Sequence, residues 1–477
     1  MLRSSLIIII VLCAAELSAQ TTLRKSSDTI VPMAPTDYFN MVVQRHPVVR
    51  QAQLLSVAAK AEIRLAKGML DPKATVNYNG KTFSGTDYYQ LWDNTLTVPT
   101  WVGVDVKAGV ERNTGQYVNP EVATPNGGLW YLGVSVPLGQ GLFIDERRNA
   151  IKQAQLMPTL AEAERVSIIN KLVLQAAKDY WDWYFQYSRY MQLEEGYRLA
   201  EERFQAVKAR ALLGDLPAID TVEALIAVQD RDNQRRQAYA DYQSAMWMAG
   251  VHLWRDDTTP YELTESIVPQ LPVTLIAPIT LAQVRQLSDS AQLYHPDLVR
   301  IDVKQEQLQI EERYQRDKLK PKLYANYNIL TRTVADFSEA GDYDYFSNNY
   351  KMGVSFSYPL LLRETRGKIR LVEVKQQQLV LERQNQERFI RASIEGNYQN
   401  WIALEEQIRI QEQQVKNARL LRDAEQTRFF AGESSFFLVN TREVALINAE
   451  IKLKELYAKY AKVKAELYWS AGQMPVQ

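Results

Sequence analysis

Cysteine is nearly absent from this sequence: among 477 residues there is one, Cys13, and there are three histidines. With a single cysteine no internal disulfide forms. The histidines are scattered: His46 and His295 each precede a proline, and His252 stands alone. No HExxH, phosphate loop or cysteine cluster accompanies them, so no metal or cofactor site and no nucleophile–base pair is legible. The expectation is a protein that is not an enzyme and needs no cofactor. An excess of charge is also missing. Lys and Arg number 56 against 56 Asp and Glu, which gives no support for binding nucleic acid or an anionic membrane surface. Beyond the N-terminus there is no apolar run near the ~18 residues of a membrane-spanning helix. If this chain crosses a membrane it must do so as a closed β-barrel, the other structure that satisfies its backbone in lipid.

The N-terminus has Arg3, an apolar stretch from Leu6 to Ala15, and Leu17-Ser18-Ala19 before Gln20. This order of charge, short apolar core and small residue predicts a secretory signal peptide over residues 1–19. The apolar stretch is too short for a membrane anchor. Cys13 lies inside it behind Leu12, where a lipoprotein signal needs a small residue, so the mature chain is expected to carry neither lipid nor cysteine.

What is present in abundance is helix-forming sequence, arranged twice. A linker (20–35) leads to helical sequence from Thr36, interrupted at His46-Pro47 and resumed until Gly68. Strand-like sequence follows. A long helix then runs from Asp145 to about Arg210, with Pro158 expected to kink it. After Leu213-Gly214-Asp215 the chain returns as a helix from about Ala218 to Trp254. Past a Pro- and Thr-rich equatorial linker (255–278) the pattern restarts. His295-Pro296 answers His46-Pro47, and PKLYANYN from Pro321 answers PKATVNYN from Pro72, both at an offset of 249. Arg366 answers Arg148, Tyr398 answers Tyr180 and Gly432 answers Gly214, all at an offset of 218. Constant offsets over such spans mark a tandem duplication: a first repeat over 36–254, a second over 279–471, and a tail over 472–477. The change of offset places 31 extra residues in the strand region of the first half, while the long helices keep equal length.

The strand regions alternate with period 2. Val102, Val104, Val106, Ala108 and Val110 share one face of their segment, and Trp130, Leu132, Val134 and Val136 one face of the next; Met352, Val354, Phe356 and Tyr358 do the same in the second half. Alternating segments of about ten residues fit an outer-membrane barrel; a sheet on a soluble core is the alternative. Which first-half segments cross is not readable, and two strands per half, four per chain, is the simplest count. Four strands do not close a barrel, because single-chain barrels begin at about eight. The chain must then oligomerise, and three copies give 12 strands. Long polar helices likewise need partners of equal length beside them.

The duplicated order of short helix, strand pair and long hairpin resembles the TolC family of outer-membrane efflux and secretion channels over nearly the whole mature chain. The resemblance rests on His46-Pro47 and His295-Pro296, on VPLGQGLFIDERRNAIKQA from Val136, on YPLLLRETRGKI from Tyr358, and on the turns LLGDLPAIDTVEA and FAGESSFFLVNTREVAL. It implies an α+β membrane protein: tandem-duplicated long α-helical hairpins forming a trimeric α-barrel, with four β-strands per chain contributing to a 12-stranded transmembrane β-barrel. It implies the exit duct of a tripartite efflux pump, passively conducting substrates across the periplasm and the outer membrane of a Gram-negative bacterium. Its partners would be two copies of itself, outer-membrane lipid, a periplasmic adaptor (membrane fusion) protein and an inner-membrane pump of RND or ABC type, with no nucleic acid. The alternatives are the outer-membrane component of a type I protein secretion system, a periplasmic adaptor, and a structural coiled-coil protein. An adaptor has one hairpin flanked by compact domains, and a coiled coil leaves the strands unexplained.

The candidate site is the pair of hairpin turns. Gly214 and Gly432 are expected to end their helices in a left-handed conformation. Asp215, Asp220 and Glu433 place carboxylates near the expected pore mouth, where a trimer makes rings that attract cations; the competing reading makes Asp215 and Asp220 helix caps. In the second turn Phe436 and Phe437 precede Asn440, where the family often has aspartate, and they either pack between tips or narrow the mouth. The aromatic run Tyr180, Trp181, Trp183, Tyr184, Phe185, Tyr187 and Tyr190 fits packing against the segments around 255–280 better than ligand stacking.

Overall fold

A computed structural model describes residues 30–256, 258–271, 278–334 and 347–474. The expected signal peptide lies outside the described residues, as do positions 20–29 and 272–277 of the two linkers and 475–477 of the tail. Nine α-helices and eight strands are described. The helices are α1 (Pro35–Arg45), α2 (Pro47–Lys67), α3 (Glu146–Ala154), α4 (Met157–Leu212), α5 (Ala218–Gly250), α6 (Leu281–Tyr294), α7 (Pro296–Asp317), α8 (Arg363–Phe430) and α9 (Phe436–Ser470). The strands are β1 (Val31–Met33), β2 (Lys73–Phe83), β3 (Thr86–Pro99), β4 (Asp105–Thr114), β5 (Leu129–Pro137), β6 (Ile267–Pro269), β7 (Lys322–Thr331) and β8 (Tyr350–Ser357). No helix among the described residues is long and apolar enough to cross a membrane.

The helices form four staves. Two are long: α8 has 68 residues and α4 has 56, about 100 and 84 Å at 1.5 Å per residue. The other two are spliced from shorter helices. Next to α4, α5 covers the lower part and α2 the upper; next to α8, α9 covers the lower part and α7 the upper. The splices lie at the two His-Pro pairs. His46 Nδ1 accepts from Val48 N at 3.1 Å and His295 Nδ1 accepts from Asp297 N at 3.2 Å, so each histidine is the N-cap of the upper helix. Each proline stands at N1, where its missing N–H removes no helical bond. At the second splice the end of α9 abuts the cap directly. A Cβ on Gly472 would lie 2.8 Å from Pro296 Cδ, and Asn170 Nδ2 donates to Gly472 O at 2.8 Å.

Pro158 does not kink a continuous helix. The helix ends at Ala154 and a new one begins at Met157 with Pro158 in its first turn, the position at which proline is tolerated. The second half has no such break.

The main core lies at the level of the splices. Tyr180, Trp181, Trp183 and Tyr184 pack there with Tyr38, Tyr242 and Trp401. Tyr180 OH lies 2.8 Å from Met33 O and 2.9 Å from Gln270 O, tying α4 to the parallel pair β1–β6. The aromatic run is therefore packed against the equatorial segments and holds them to the staves.

The sheet corrects the strand count. It has six strands in the order β2-β3-β4-β5-β7-β8, every neighbour antiparallel. The first half contributes four of them rather than two. The register gives the sheet two distinct faces. Val76, Trp92, Leu96, Leu132, Val134 and Met352 lie on one, exposed. Asn94 interrupts that face in its middle, and Gln90 and Arg112 end it at the far side. The opposite face carries Asn77, Asp93, Thr95, Lys107, Glu111, Asn328 and Lys351. The polar face is concave. Lys351 Nζ on β8 reaches Glu111 Oε1 on β4 at 2.9 Å, across three strand spacings of about 4.8 Å each, which side chains span only when the sheet curls toward them.

Sheet and staves are joined by the IDERR stretch. Asp145 is the N-cap of α3, accepting from Arg148 N at 2.9 Å. Arg148 donates to the carbonyls of Gly141, Leu142 and Val102, and Arg147 Nη1 meets Asp105 Oδ1 at 2.7 Å. The turn between β3 and β4 is thus pinned to the head of a stave.

Candidate functional site at the hairpin tips

Both long hairpins turn in the same way. Gly214 has φ +82° and Gly432 φ +76°. Gly214 N donates to Ala211 O at 3.1 Å and Asp215 N to Arg210 O at 3.0 Å; Gly432 N donates to Phe429 O at 3.1 Å and Glu433 N to Arg428 O at 2.9 Å. This paired bonding ends each helix and satisfies two of its last carbonyls. Open space surrounds both glycines, so the left-handed backbone alone requires them. Gly214→Ala and Gly432→Ala are each expected to cost about 1–2 kcal/mol, and Asn at the same positions less. Hydrogen exchange of the tip amides checks this, and alanine exchanging no faster than glycine would overturn it.

The acids divide. Asp215 is exposed and caps nothing, because the N-cap of α5 is Pro217, without a side-chain bond. The cap reading of Asp215 is therefore corrected. Asp220 is not an N-cap either: it lies in the first turn of α5, where a carboxylate favours the positive end of the helix dipole. Glu433 is exposed like Asp215. Ser435, not an acid, caps α9 by accepting from Leu438 N at 3.4 Å, and Ser434 donates to Glu425.

Phe436 and Phe437 have opposite fates. Phe436 is buried on Val207 of α4 and Ala224 of α5, with Phe204, Leu216 and Phe429 around them. It bolts the second hairpin onto the first. Phe437 is exposed.

Above this cluster lies an ionic knot. Glu443 Oε2 accepts from Arg203 Nη1 at 2.5 Å and from Arg231 Nη2 at 2.9 Å. Arg231 also donates to Asn440 Oδ1 at 3.0 Å and to Gly196 O at 2.7 Å. Glu443 is 1% and Arg231 5% exposed, so both ions are out of water. Burial pushes the Glu443 carboxyl upward, but the hydrogen bond from Arg203 and the charge of Arg231 outweigh it and hold it below the usual carboxylate range. The knot joins α4, α5 and α9, and so couples the two hairpins.

The structure thus brings Phe436 and Asn440 into one assembly with the first hairpin and leaves Asp215, Glu433 and Phe437 on the free surface. Arg203, Arg231 and Glu443 were not legible as site residues. One signal was available: Glu443 sits between Val439 and Leu446, at the spacing of a buried seam, where a charge needs a partner.

Residues 287–473 match the outer membrane efflux protein family. No curated protein sequence matches the chain. Solved structures match the fold. The MtrE outer membrane channel of Neisseria gonorrhoeae, in its open state, superposes with a TM-score of 0.65 at 14% identity, covering 92% of this chain and 88% of that one. The CmeC outer membrane channel of Campylobacter jejuni gives 0.63 at 12% identity, covering 91% and 85%. The outer membrane protein VceC of Vibrio cholerae gives 0.63 at 14% identity, covering 92% and 95%.

Proposed function

We propose that this chain, whose residues 287–473 match the outer membrane efflux protein family, is the exit duct of a tripartite efflux pump. Three copies assemble. Their sheets seat the duct in the outer membrane of a Gram-negative bacterium, and their staves cross the periplasm. The duct passively conducts what an inner-membrane pump of RND or ABC type delivers through a periplasmic adaptor docked at the tips.

One observation carries this reading. A single chain presents four staves of matched reach under a curved sheet that is apolar outside and polar inside, and it closes neither layer alone. An unclosed sheet with an apolar outer face is stable in lipid only when its edges are paired. Staves spliced to equal length supply the wall of a tube. Asp215 and Glu433, free at the tips, become rings of three acids at the entrance and favour cations.

The test is reconstitution of the purified protein in planar bilayers. Trimers with ion conductance are expected, and the Asp215→Asn, Glu433→Gln double variant is expected to keep the conductance while its cation-over-anion permeability ratio falls. A chain found only in the soluble periplasm, without conductance, would sink the duct reading. An unchanged permeability ratio would remove the acids from the entrance.

A further inference from the structure

The sheet has more strands than closure in a 12-stranded trimer allows. We infer that edge strands β2 and β8 are the surfaces by which copies of this chain pair, and that three copies close an 18-stranded barrel with an outlet of porin width. The inference rests on the trimeric duct proposed above.

The extra strands are an insertion that leaves the edges alone. PKATVNYN at the start of β2 answers PKLYANYN at the start of β7, and Pro137-Leu138 at the end of β5 answers Pro359-Leu360 just past β8. The strands without a counterpart are β3 and β4, Thr86–Thr114, which account for most of the 31 extra residues of the first half. Two added strands return the chain to the side it left. β5 therefore runs as it would without them, and the sheet still begins at β2 and ends at β8.

The inserted hairpin has the features of a membrane crossing. β3 has 14 residues and β4 has 10, against the roughly 9–11 that a tilted strand needs to cross a bilayer. Its apolar rows continue those of the rest of the sheet: Leu96 lies opposite Ala74 and Ala108, and Val98 opposite Val106. Its polar rows continue too, with Asp93 and Thr95 beside Glu111 and Gly109. The turn below it is held by Arg148. A hairpin folded away from the barrel would need none of this register.

The edges are complementary. β2 and β8 are exposed along their whole lengths. Five successive antiparallel pairings leave them running in opposite directions, as an antiparallel junction between copies requires. In lipid an open edge is not tolerated. Six strands from each of three copies make 18. Barrel diameter grows about linearly with strand number, and barrels of about 16–18 strands enclose an aqueous channel. The outlet is then about one and a half times as wide as that of a 12-stranded barrel.

The chain suits a cysteine test, because Cys13 is its only thiol and lies in the expected signal peptide. Double variants pairing Thr75→Cys, Asn77→Cys or Asn79→Cys on β2 with Lys351→Cys, Gly353→Cys or Ser355→Cys on β8 cover the registers. Oxidation of the membrane-inserted trimer is expected to give covalent dimers and trimers for one register. Single variants Val76→Cys and Leu96→Cys, labelled with a fluorophore, are expected to be quenched by brominated lipid chains, and Asn77→Cys is not. If trimers conduct but no β2–β8 register crosslinks and the labels on Val76→Cys and Leu96→Cys are unquenched, the 18-stranded barrel is overturned while the duct reading stands. If no trimer inserts at all, the duct reading fails first.

Discussion

Glu443→Ala is expected to loosen the tip more than any other single change there. The substitution leaves Arg231, buried and 5% exposed, and the partly covered Arg203 facing each other without a counter-charge. Breaking a buried ion pair by removing one partner costs about 3–5 kcal/mol, chiefly because the remaining charge stays out of water. The cost falls on the contact between hairpins, since Glu443 comes from α9 and the arginines from α4 and α5. Hydrogen exchange is expected to quicken in the lower parts of α5 and α9 and to stay unchanged at the splice level, and the resting conductance of the inserted channel is expected to rise. Unchanged exchange in both regions would show that the knot holds nothing together.

The same physics supplies a control. A buried ion triad replaced as a set by apolar residues of similar volume is often as stable as the original. The variant Arg203→Met, Arg231→Leu, Glu443→Leu is therefore expected to recover most of the stability that Glu443→Ala loses. The sign with pH follows from the depressed carboxyl. Its contribution is complete above the ordinary glutamate value and is lost as pH falls through the lower folded value. Acid should open the knot in wild-type protein, and it should have no such effect in the apolar variant.

The sequence was most informative where the two repeats agree. Constant offsets located both long hairpins, both tip glycines and both His-Pro breaks, because equal staves demand equal lengths and turn geometry demands glycine. It was least informative where the repeats differ. The 31 extra residues were visible, but alternation alone did not say whether β3 and β4 cross with the other strands, because an edge hairpin and a membrane hairpin share the same period. Strand count then came out at four rather than six. Contacts between distant helices were hidden for another reason. Arg231 and Glu443 each look like one charge on a solvated helix; only the seam positions of their neighbours, Val228 for one and Val439 and Leu446 for the other, show that both face inward. The role of His46 and His295 was half legible. The proline after each marked a helix start, but that the imidazole itself caps the helix depends on a ring orientation no spacing encodes.

That orientation yields the second large effect, an acid sensitivity at the splices. An N-cap acceptor must have a free lone pair, and His46 Nδ1 offers one to Val48 N at 3.1 Å. Protonation would put a donor against a donor. Burial, and then the proximity of His252, pushes the His46 imidazole down from 6.5 to about 4. His295 moves in the same direction, again through burial, with Asp297 opposing. For a histidine depressed in the folded state, its stabilising contribution is fully present above the unfolded value of about 6.5 and is lost as pH falls through the folded value. The window is thus pH 6.5 to 4 for His46, and its full depth is roughly 3 kcal/mol. Melting temperature measured from pH 7 to 4 is expected to fall steeply in wild-type protein. Asparagine is among the best N-cap residues and does not titrate. The His46→Asn, His295→Asn variant should therefore match wild type within about 1 kcal/mol at pH 7 and show a flatter profile below it. An equally steep fall in the variant would assign the acid sensitivity to other groups. A flat profile in both proteins would mean that the imidazoles are not held neutral. The expected result makes the splices, where two of the four staves change helix, the places at which the helical staves first yield in acid.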